Sequence, residues 1–119
     1  MSDYIVTRDQ CFAMPPFAGV DMHAMEAQSM TLSVVEMEPH AVIDEHSHPH
    51  EQIGYMIQGE AEFIIEGESV HVRAGQMWRL PGGVRHKVIT GDKPMRAVDV
   101  FHPVRDDMRA RCSADSRPS

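Results

Sequence analysis

The residues with the clearest chemical potential lie in one short stretch and at one later position. His46, His48, His50 and Gln52 fall within seven residues, and His86 follows further along the chain. In an extended strand, alternate side chains share a face, so His46 and His48 point the same way and Gln52 returns to that face if the strand continues. Neutral imidazole is a good ligand for divalent transition metals. The pattern therefore predicts a metal site formed by His46, His48, Gln52 and His86.

Two residues of this stretch each have two possible roles. As a neutral ligand, Gln52 would leave the full charge of a divalent ion available to an anionic substrate and a bound water. Alternatively, Gln52 supports the ligands by hydrogen bonding and does not bind the ion. His50 shares the parity of His46 and His48, but Pro49 interrupts the strand, so we expect His50 beside the ligands or at the surface. The expected metal is zinc, nickel, iron or manganese. Its binding should weaken below about pH 6.5, where free imidazole becomes protonated.

The elements that position these residues belong to one domain, because 119 residues with 42% hydrophobic content suffice for a single core. The net charge of −7 argues against nucleic-acid or membrane partners. No apolar run reaches the length of a membrane span and the N-terminus lacks an export signal, so we expect a cytoplasmic protein. Cys11 and Cys112 lie far apart and do not suggest a disulfide scaffold.

Short alternating segments separated by turn residues dominate the chain from Ser29 onward. Residues 60–73 are typical of a β-hairpin with its tip at Gly67. Further strands are expected over residues 30–37, 53–57, 78–80, 86–89 and 95–101. With no long helical pattern, the sequence predicts an all-β sandwich or barrel.

The two ends of the chain are less regular. Residues 1–28 are expected to form an N-terminal arm and edge strand, with a short strand at 4–6 and a helical turn at 22–27. Such an arm often packs against another subunit, so it is a candidate interface, and a homodimer is expected. Residues 29–105 are predicted to form the barrel and residues 106–119 a C-terminal tail.

Two spaced motifs resemble the motifs of the cupin superfamily. They are His46-x-His48-x3-Gln52-x6-Gly59 and Gly75-x5-Pro81-x-Gly83-x2-His86, separated by residues 60–74. The resemblance implies a small single-domain cupin barrel, which is a double-stranded β-helix or jelly roll. The sequence departs from the usual motifs at three positions. Gln52 replaces an acidic ligand, His40 replaces an opening glycine, and Thr90 replaces a closing asparagine.

A narrower resemblance, to the pectin-degradation-type cupins, lies in residues 50–55 and in the last strand. It implies a metal site of three histidines and one glutamine, and conversion of 4,5-unsaturated uronates into linear keto acids. It also implies that Asp99, Phe101 and Arg105 face a small anionic substrate. The chain is therefore interpreted as a metal-dependent isomerase or lyase, with an iron-dependent dioxygenase and a non-catalytic ligand-binding cupin as alternatives.

The residues around the predicted metal have expected roles. Asp99 is a candidate general acid or base, or else a hydrogen-bonded structural carboxylate. Arg105 is expected to bind the substrate carboxylate with two hydrogen bonds, or else to be a surface charge. Phe101, Tyr55 and Trp78 are predicted substrate contacts, although aromatic residues in a barrel usually pack in the core.

Overall fold

The computed structural model describes residues 4–13 and 17–106. Regular structure in these ranges consists of a single 3-10 turn, Arg8–Gln10, and β-strands. The strands are β1 Phe12–Ala13, β2 Val20–Glu26, β3 Thr31–Met37, β4 Val42–His46, β5 Glu51–Gln58, β6 Glu60–Ile65, β7 Glu68–Arg73, β8 Met77–Leu80, β9 His86–Thr90 and β10 Met95–His102. No helix of the described ranges has the length and apolarity needed to cross a membrane.

The strands form two antiparallel sheets. The larger sheet has the order β1-β2-β3-β10-β5-β8, and the smaller sheet has the order β4-β9-β6-β7. From β3 onward the chain changes sheet at every connection except the β6–β7 hairpin, so the two sheets share one core. The predicted all-β jelly-roll fold is confirmed.

The interior of the barrel changes character along its length. On the paired strands β3 and β10, inward positions alternate with outward ones, as expected for strands with one buried face. At one end Val35, Met37 and Ala97 join the apolar core. At the other end Ser33 and Asp99 are buried opposite each other. The polar end therefore offers a place for chemistry, and the apolar end supplies stability.

The predicted β-hairpin at residues 60–73 is confirmed. Strands β6 and β7 pair from Glu60 with Arg73 to Ile65 with Glu68. The intervening Glu66 and Gly67 both have positive φ, at 50° and 81°, as in the two-residue turns that match the twist of paired strands.

Two predictions for the N-terminal region are wrong. Residues 22–27 do not form a helical turn, because Val20–Glu26 is a strand that pairs with β3 along its length. Residues 4–6 do not form a strand. The first error has a physical cause: Met22 and Ala24 point inward while Met25 points outward, so apolar residues on both faces obscure the alternation. The larger sheet therefore already includes residues 20–26, which lie before the predicted barrel boundary.

The C-terminal prediction falls largely outside the described residues. The tail predicted for residues 106–119 is described only at Asp106, and Cys112 lies outside the described ranges. Cys11 is a free, half-buried thiol.

Candidate metal centre

The histidine stretch is a crossing between sheets rather than one continuous strand. β4 ends at His46 in the smaller sheet and β5 begins at Glu51 in the larger sheet. The strand therefore does not continue from His46 to Gln52, in agreement with the interruption expected at Pro49, yet the predicted residues still converge. His86, the first residue of β9, pairs with His46, and Gln52 points inward from the opposite sheet.

The loop that carries His48 is held against the loop of the second motif. The backbone N–H of Gly83 donates to the carbonyl of His48 at 2.8 Å, with Gly83 in a left-handed conformation at φ 86°. At Gly82, an added Cβ would lie only 2.2 Å from the carbonyl oxygen of Pro49. Glycine is therefore required at position 82 for the two loops to approach this closely.

The three predicted histidine ligands lie together and have matching orientations. One ring nitrogen from each of His46, His48 and His86 lies within 4.8 Å of the others. In all three, Nδ1 lies 2.9 to 3.1 Å from a backbone carbonyl oxygen two residues away. Because a carbonyl only accepts, a proton on Nδ1 leaves the Nε2 lone pair for a metal.

Gln52 lies beside the three histidines, and its contacts indicate whether these four residues suit a metal ion. Its amide nitrogen donates to Oδ1 of Asp99 at 2.9 Å, which turns its oxygen to within 3.0 Å of His48 Nε2. Both ring nitrogens of His48 thus face acceptors. Nε2 faces the Gln52 oxygen, and Nδ1 faces the backbone carbonyl of His50. Burial, assisted by the charge of Arg105, lowers the pKa of His48 to about 4, so its single proton satisfies only one acceptor. A cation at Nε2 and the Gln52 oxygen removes this conflict, so the residues fit a divalent metal.

Asp99 is buried beneath Gln52. Its Oδ1 also accepts the indole N–H of Trp78 at 2.8 Å. Burial raises the pKa of Asp99 to about 6, although the donors Gln52 and Trp78 and the charge of Arg105 oppose the rise. Asp99 is therefore mainly ionised at neutral pH and orients Gln52, which agrees with the hydrogen-bonded carboxylate alternative. Its role in proton transfer stays a prediction.

A cavity of about 380 Å³ adjoins these residues. Its lining includes most of the residues predicted from the sequence, namely His46, Gln52, Trp78, His86, Asp99, Phe101 and Arg105. A larger and more open groove of about 760 Å³ lies elsewhere and contains none of them. The smaller cavity is therefore the candidate substrate site.

Arg105 is a buried residue of this cavity and not a surface charge. Its side chain is stacked on Phe101, with the guanidinium carbon 4.6 Å from the ring centroid. Its backbone N–H donates to the Thr31 hydroxyl at 2.9 Å, and His50 Nε2 donates to the carbonyl of Val104 at 3.1 Å. His50 therefore lies beside the ligands, as expected, and helps hold the segment that carries Arg105.

The chain matches the Cupin_2 family, described as a cupin domain, over residues 33–101. The chain belongs to this family. Among solved structures, KdgF from Halomonas sp. is 28% identical with a TM-score of 0.74, covering 81% of this chain and 89% of that chain. An RmlC-like cupin from Shewanella frigidimarina has a TM-score of 0.78 at 20% identity, covering 89% and 96%, which supports the fold.

A curated relative of this cupin is a protein of polyketide synthesis. The polyketide synthase CurC from Streptomyces cyaneus is 35% identical over 78 residues, which cover 64% of this chain. The match covers 49% of the relative, so the chain spans about half its length.

One predicted substrate contact of this cupin is corrected. Tyr55 follows the inward-facing Gly54 on β5, points out of the barrel, is 41% exposed and does not line the candidate cavity. Trp78 packs across Gly54 so closely that an added Cβ there would lie 2.2 Å from the indole ring. The alternation along β5 was sufficient to assign Tyr55 to the outer face, because Gln52 points inward.

Other cavity residues were not identified from the sequence. Phe63 stacks at 4.8 Å from Trp78, and Phe17 and Met22 complete the apolar wall. Phe63 had a usable signal, since it alternates on the hairpin strand. Phe17 precedes β2 and Met22 lies within it, so both depended on recognising that strand.

Proposed function

We propose that this cupin binds one divalent metal through His46, His48, Gln52 and His86 and acts on a small anionic, sugar-derived acid. The observation that carries the proposal is a neutral ligand set beside the buried guanidinium of Arg105 in one cavity. Neutral ligands do not cancel the ion's charge, so cavity and metal together favour an anion. A volume of about 380 Å³ lies at the small end for ligand sites and suits a molecule of monosaccharide size.

The specific proposal is ring opening and ketonisation of a 4,5-unsaturated uronate. Arg105 binds the carboxylate, and its stacking on Phe101 limits the orientations of the guanidinium. When bound, the metal supplies Lewis-acid polarisation of substrate oxygens. The donors Gln52 and Trp78 contact Oδ1 of Asp99, and we assign to Oδ2 the proton exchange of the enol-to-keto step. The pKa of about 6 suits proton exchange near neutral pH.

The test follows the ultraviolet absorbance of the conjugated unsaturated acid during incubation with metal-loaded protein. We expect the band to disappear, and to persist when the protein is stripped with a chelator. Arg105→Gln should bind metal normally and raise KM at least about tenfold, because it loses a charge-assisted contact. An unchanged band with stoichiometric metal would eliminate the uronate proposal and leave the cupin assignment intact.

A second candidate function is metal-assisted chemistry on a polyketide-derived substrate. The 35% identity to the polyketide synthase CurC and the apolar wall of Phe17, Met22 and Phe63 favour it. Trp78 is the single tryptophan of the chain and lines the cavity, so its fluorescence reports binding there. Quenching by a polycyclic aromatic acid but not by an unsaturated uronate would favour this candidate over the first.

A further inference from the structure

The peptide group that joins Val104 to Arg105 is held from both sides by side chains. Its N–H donates to the hydroxyl of Thr31 at 2.9 Å, and its carbonyl oxygen lies 3.1 Å from Nε2 of His50. Thr31 is buried on β3, whereas His50 lies in the loop between β4 and β5. Two elements that are distant in the sequence therefore fix the plane of one peptide group.

This peptide group determines where the Arg105 side chain begins. A fixed plane sets the position of the Arg105 Cα and narrows the directions open to its side chain. The far end of the side chain is held by Phe101, whose ring centroid lies 4.6 Å from the guanidinium carbon. Thr31 is the residue directly opposite Phe101 in the pairing of β3 with β10. The buried guanidinium is therefore supported at both ends before any ligand binds.

The His50 ring makes its contact at a cost. Because a carbonyl only accepts, the ring nitrogen that faces Val104 carries the proton, and Nδ1 of the neutral ring keeps a lone pair. Nδ1 is buried, and no donor among the described residues reaches it. A buried acceptor without a partner is destabilising, and an apolar side chain of similar size would avoid that cost. The value of histidine at this position therefore lies in its contact with Val104.

The side chain of His50 is also separable from the metal ligands. Nδ1 of His48 lies 3.1 Å from the backbone carbonyl oxygen of His50, and a substitution of the His50 side chain leaves that carbonyl in place. The ring itself contacts the peptide group before Arg105. A change of the ring is therefore able to disturb Arg105 while His48 keeps its hydrogen bond.

We propose that His50 and Thr31 are positioning residues for carboxylate recognition and act through Arg105. They hold the guanidinium so that a carboxylate meets a preformed pair of donors, which reduces the loss of side-chain freedom on binding. Neither residue lines the candidate cavity, so neither touches the ligand directly. The inference rests on one part of the proposed function, the binding of the substrate carboxylate by Arg105, and does not depend on the reaction that follows.

The test compares two ligands that differ only in one group, D-glucuronate and D-glucuronamide. Both are saturated and lack the double bond that the proposed reaction consumes, so the fluorescence of Trp78 in metal-loaded protein reports binding alone. Wild-type protein should bind the acid more tightly than the amide. His50→Leu should weaken glucuronate binding roughly fivefold through the lost preorganisation of Arg105. It should leave the affinity for glucuronamide and the bound metal unchanged and should not lower the melting temperature.

Conservative variants and a second position separate positioning from a general effect on the fold. The amide nitrogen of His50→Gln is able to donate to the Val104 carbonyl and should retain most of the affinity for glucuronate. Thr31→Val removes the acceptor of the Arg105 N–H and should reproduce the loss, whereas Thr31→Ser keeps the acceptor. His71→Leu, the same substitution on the β6–β7 hairpin, is the control and should bind both ligands like wild type.

The double variant tests whether His50 acts through Arg105. His50→Leu combined with Arg105→Gln should bind glucuronate no more weakly than Arg105→Gln alone, because both changes remove the same contact. With the unsaturated uronate, His50→Leu should raise KM and leave kcat unchanged.

Four results would overturn the inference. They are equal affinity of wild type for the acid and the amide, unchanged glucuronate affinity in folded His50→Leu and Thr31→Val, equal losses for both ligands, and additive losses in the double variant. Failure of the proposed function gives a different result, in which the ultraviolet band of the unsaturated uronate persists while these differences in glucuronate binding remain.

Discussion

At the scale of single residues, the site depends on a chain of hydrogen bonds with only one consistent direction. Asp99 accepts from Trp78 and from Gln52, and this fixes the Gln52 oxygen toward His48. A carboxylate outside the proposed ligand set thereby determines which atom of the Gln52 amide faces the candidate metal centre. Such supporting contacts commonly contribute 10- to 100-fold to metal affinity.

Removing the acceptor at position 99 should therefore weaken metal binding. Asp99→Ala frees the Gln52 amide to rotate, so we expect metal affinity to fall roughly 10- to 100-fold by chelator competition. Asp99→Asn keeps a carbonyl oxygen at the same place and should retain most of the affinity, while losing any proton-transfer activity. Trp78→Phe removes the second donor only and serves as the control. Equal affinity in Asp99→Ala and wild type would contradict a positioning role.

The titration of the site predicts how the stability of chelator-treated protein depends on pH. Burial lowers the pKa of His48 to about 4 in the folded state. Its contribution to the free energy of unfolding is therefore complete above about pH 6.5 and is lost as the pH falls toward 4. Burial also lowers the pKa of His86 and adds to this loss. Asp99 has the opposite effect because its pKa is raised to about 6 in the folded state. Its contribution to the free energy of unfolding is complete below about pH 3.8 and is lost as the pH rises through 6.

Asp99→Asn should therefore lose stability more steeply than wild type between about pH 6 and pH 4. As the pH falls, protonation of Asp99 stabilises the folded state, whereas protonation of the histidines stabilises the unfolded chain. The variant lacks the first effect and keeps the second. The additional loss should be up to about 3 kcal/mol, at about 1.4 kcal/mol per unit of pKa shift. Urea denaturation at a series of pH values measures it. Parallel curves for the two proteins would show that Asp99 titrates alike in the folded and unfolded states.

At the scale of elements, the site is assembled by two loops that pass closely. Because an added Cβ at Gly82 would lie 2.2 Å from the carbonyl oxygen of Pro49, Gly82→Ala must displace the loop that carries His48. We expect destabilisation by about 1–3 kcal/mol and weaker metal binding. Gly91→Ala is the control, since nothing lies within 4 Å of its added Cβ. Thermal denaturation compares the stability of the two variants, and metal titration compares their metal affinity. Similar values for both would contradict the prediction that the loop contact at Gly82 positions His48.

At these elements the sequence predicted the converging residues better than the strands that carry them. The motif spacing predicted which residues converge, although the strand between His46 and Gln52 is broken. The crossover between the two sheets brings these residues together. The contact of Asp99 with Trp78 was not predictable, since no local pattern relates residues on separate strands. β2 was missed because a strand with apolar residues on both faces lacks a clear period.

One departure from the family motifs has a visible structural consequence. His40 occupies the left-handed region at φ 59°, where the related motif often has glycine. His40 therefore adopts at some cost a conformation that glycine adopts freely.

At the scale of the whole molecule, the four proposed metal ligands connect the two sheets. His46 and His86 belong to the smaller sheet, Gln52 to the larger sheet, and His48 to the crossing between them. An ion bound to all four joins elements that the unfolded chain does not hold together. An ion that binds the native state more tightly than the unfolded chain stabilises the fold.

We therefore expect the melting temperature to rise on addition of a divalent metal and to fall on chelation. At a free metal concentration of about 1,000 times the dissociation constant, the gain is about 4 kcal/mol. His48→Ala removes the residue at the crossing and should abolish the gain, and elemental analysis should find no bound metal. His71→Ala, at a surface histidine that contacts Glu60 and Glu62 on the β6–β7 hairpin, should keep the full response. An equal metal-dependent rise in His48→Ala would show that the ion binds elsewhere and that the sheets are not joined through this site.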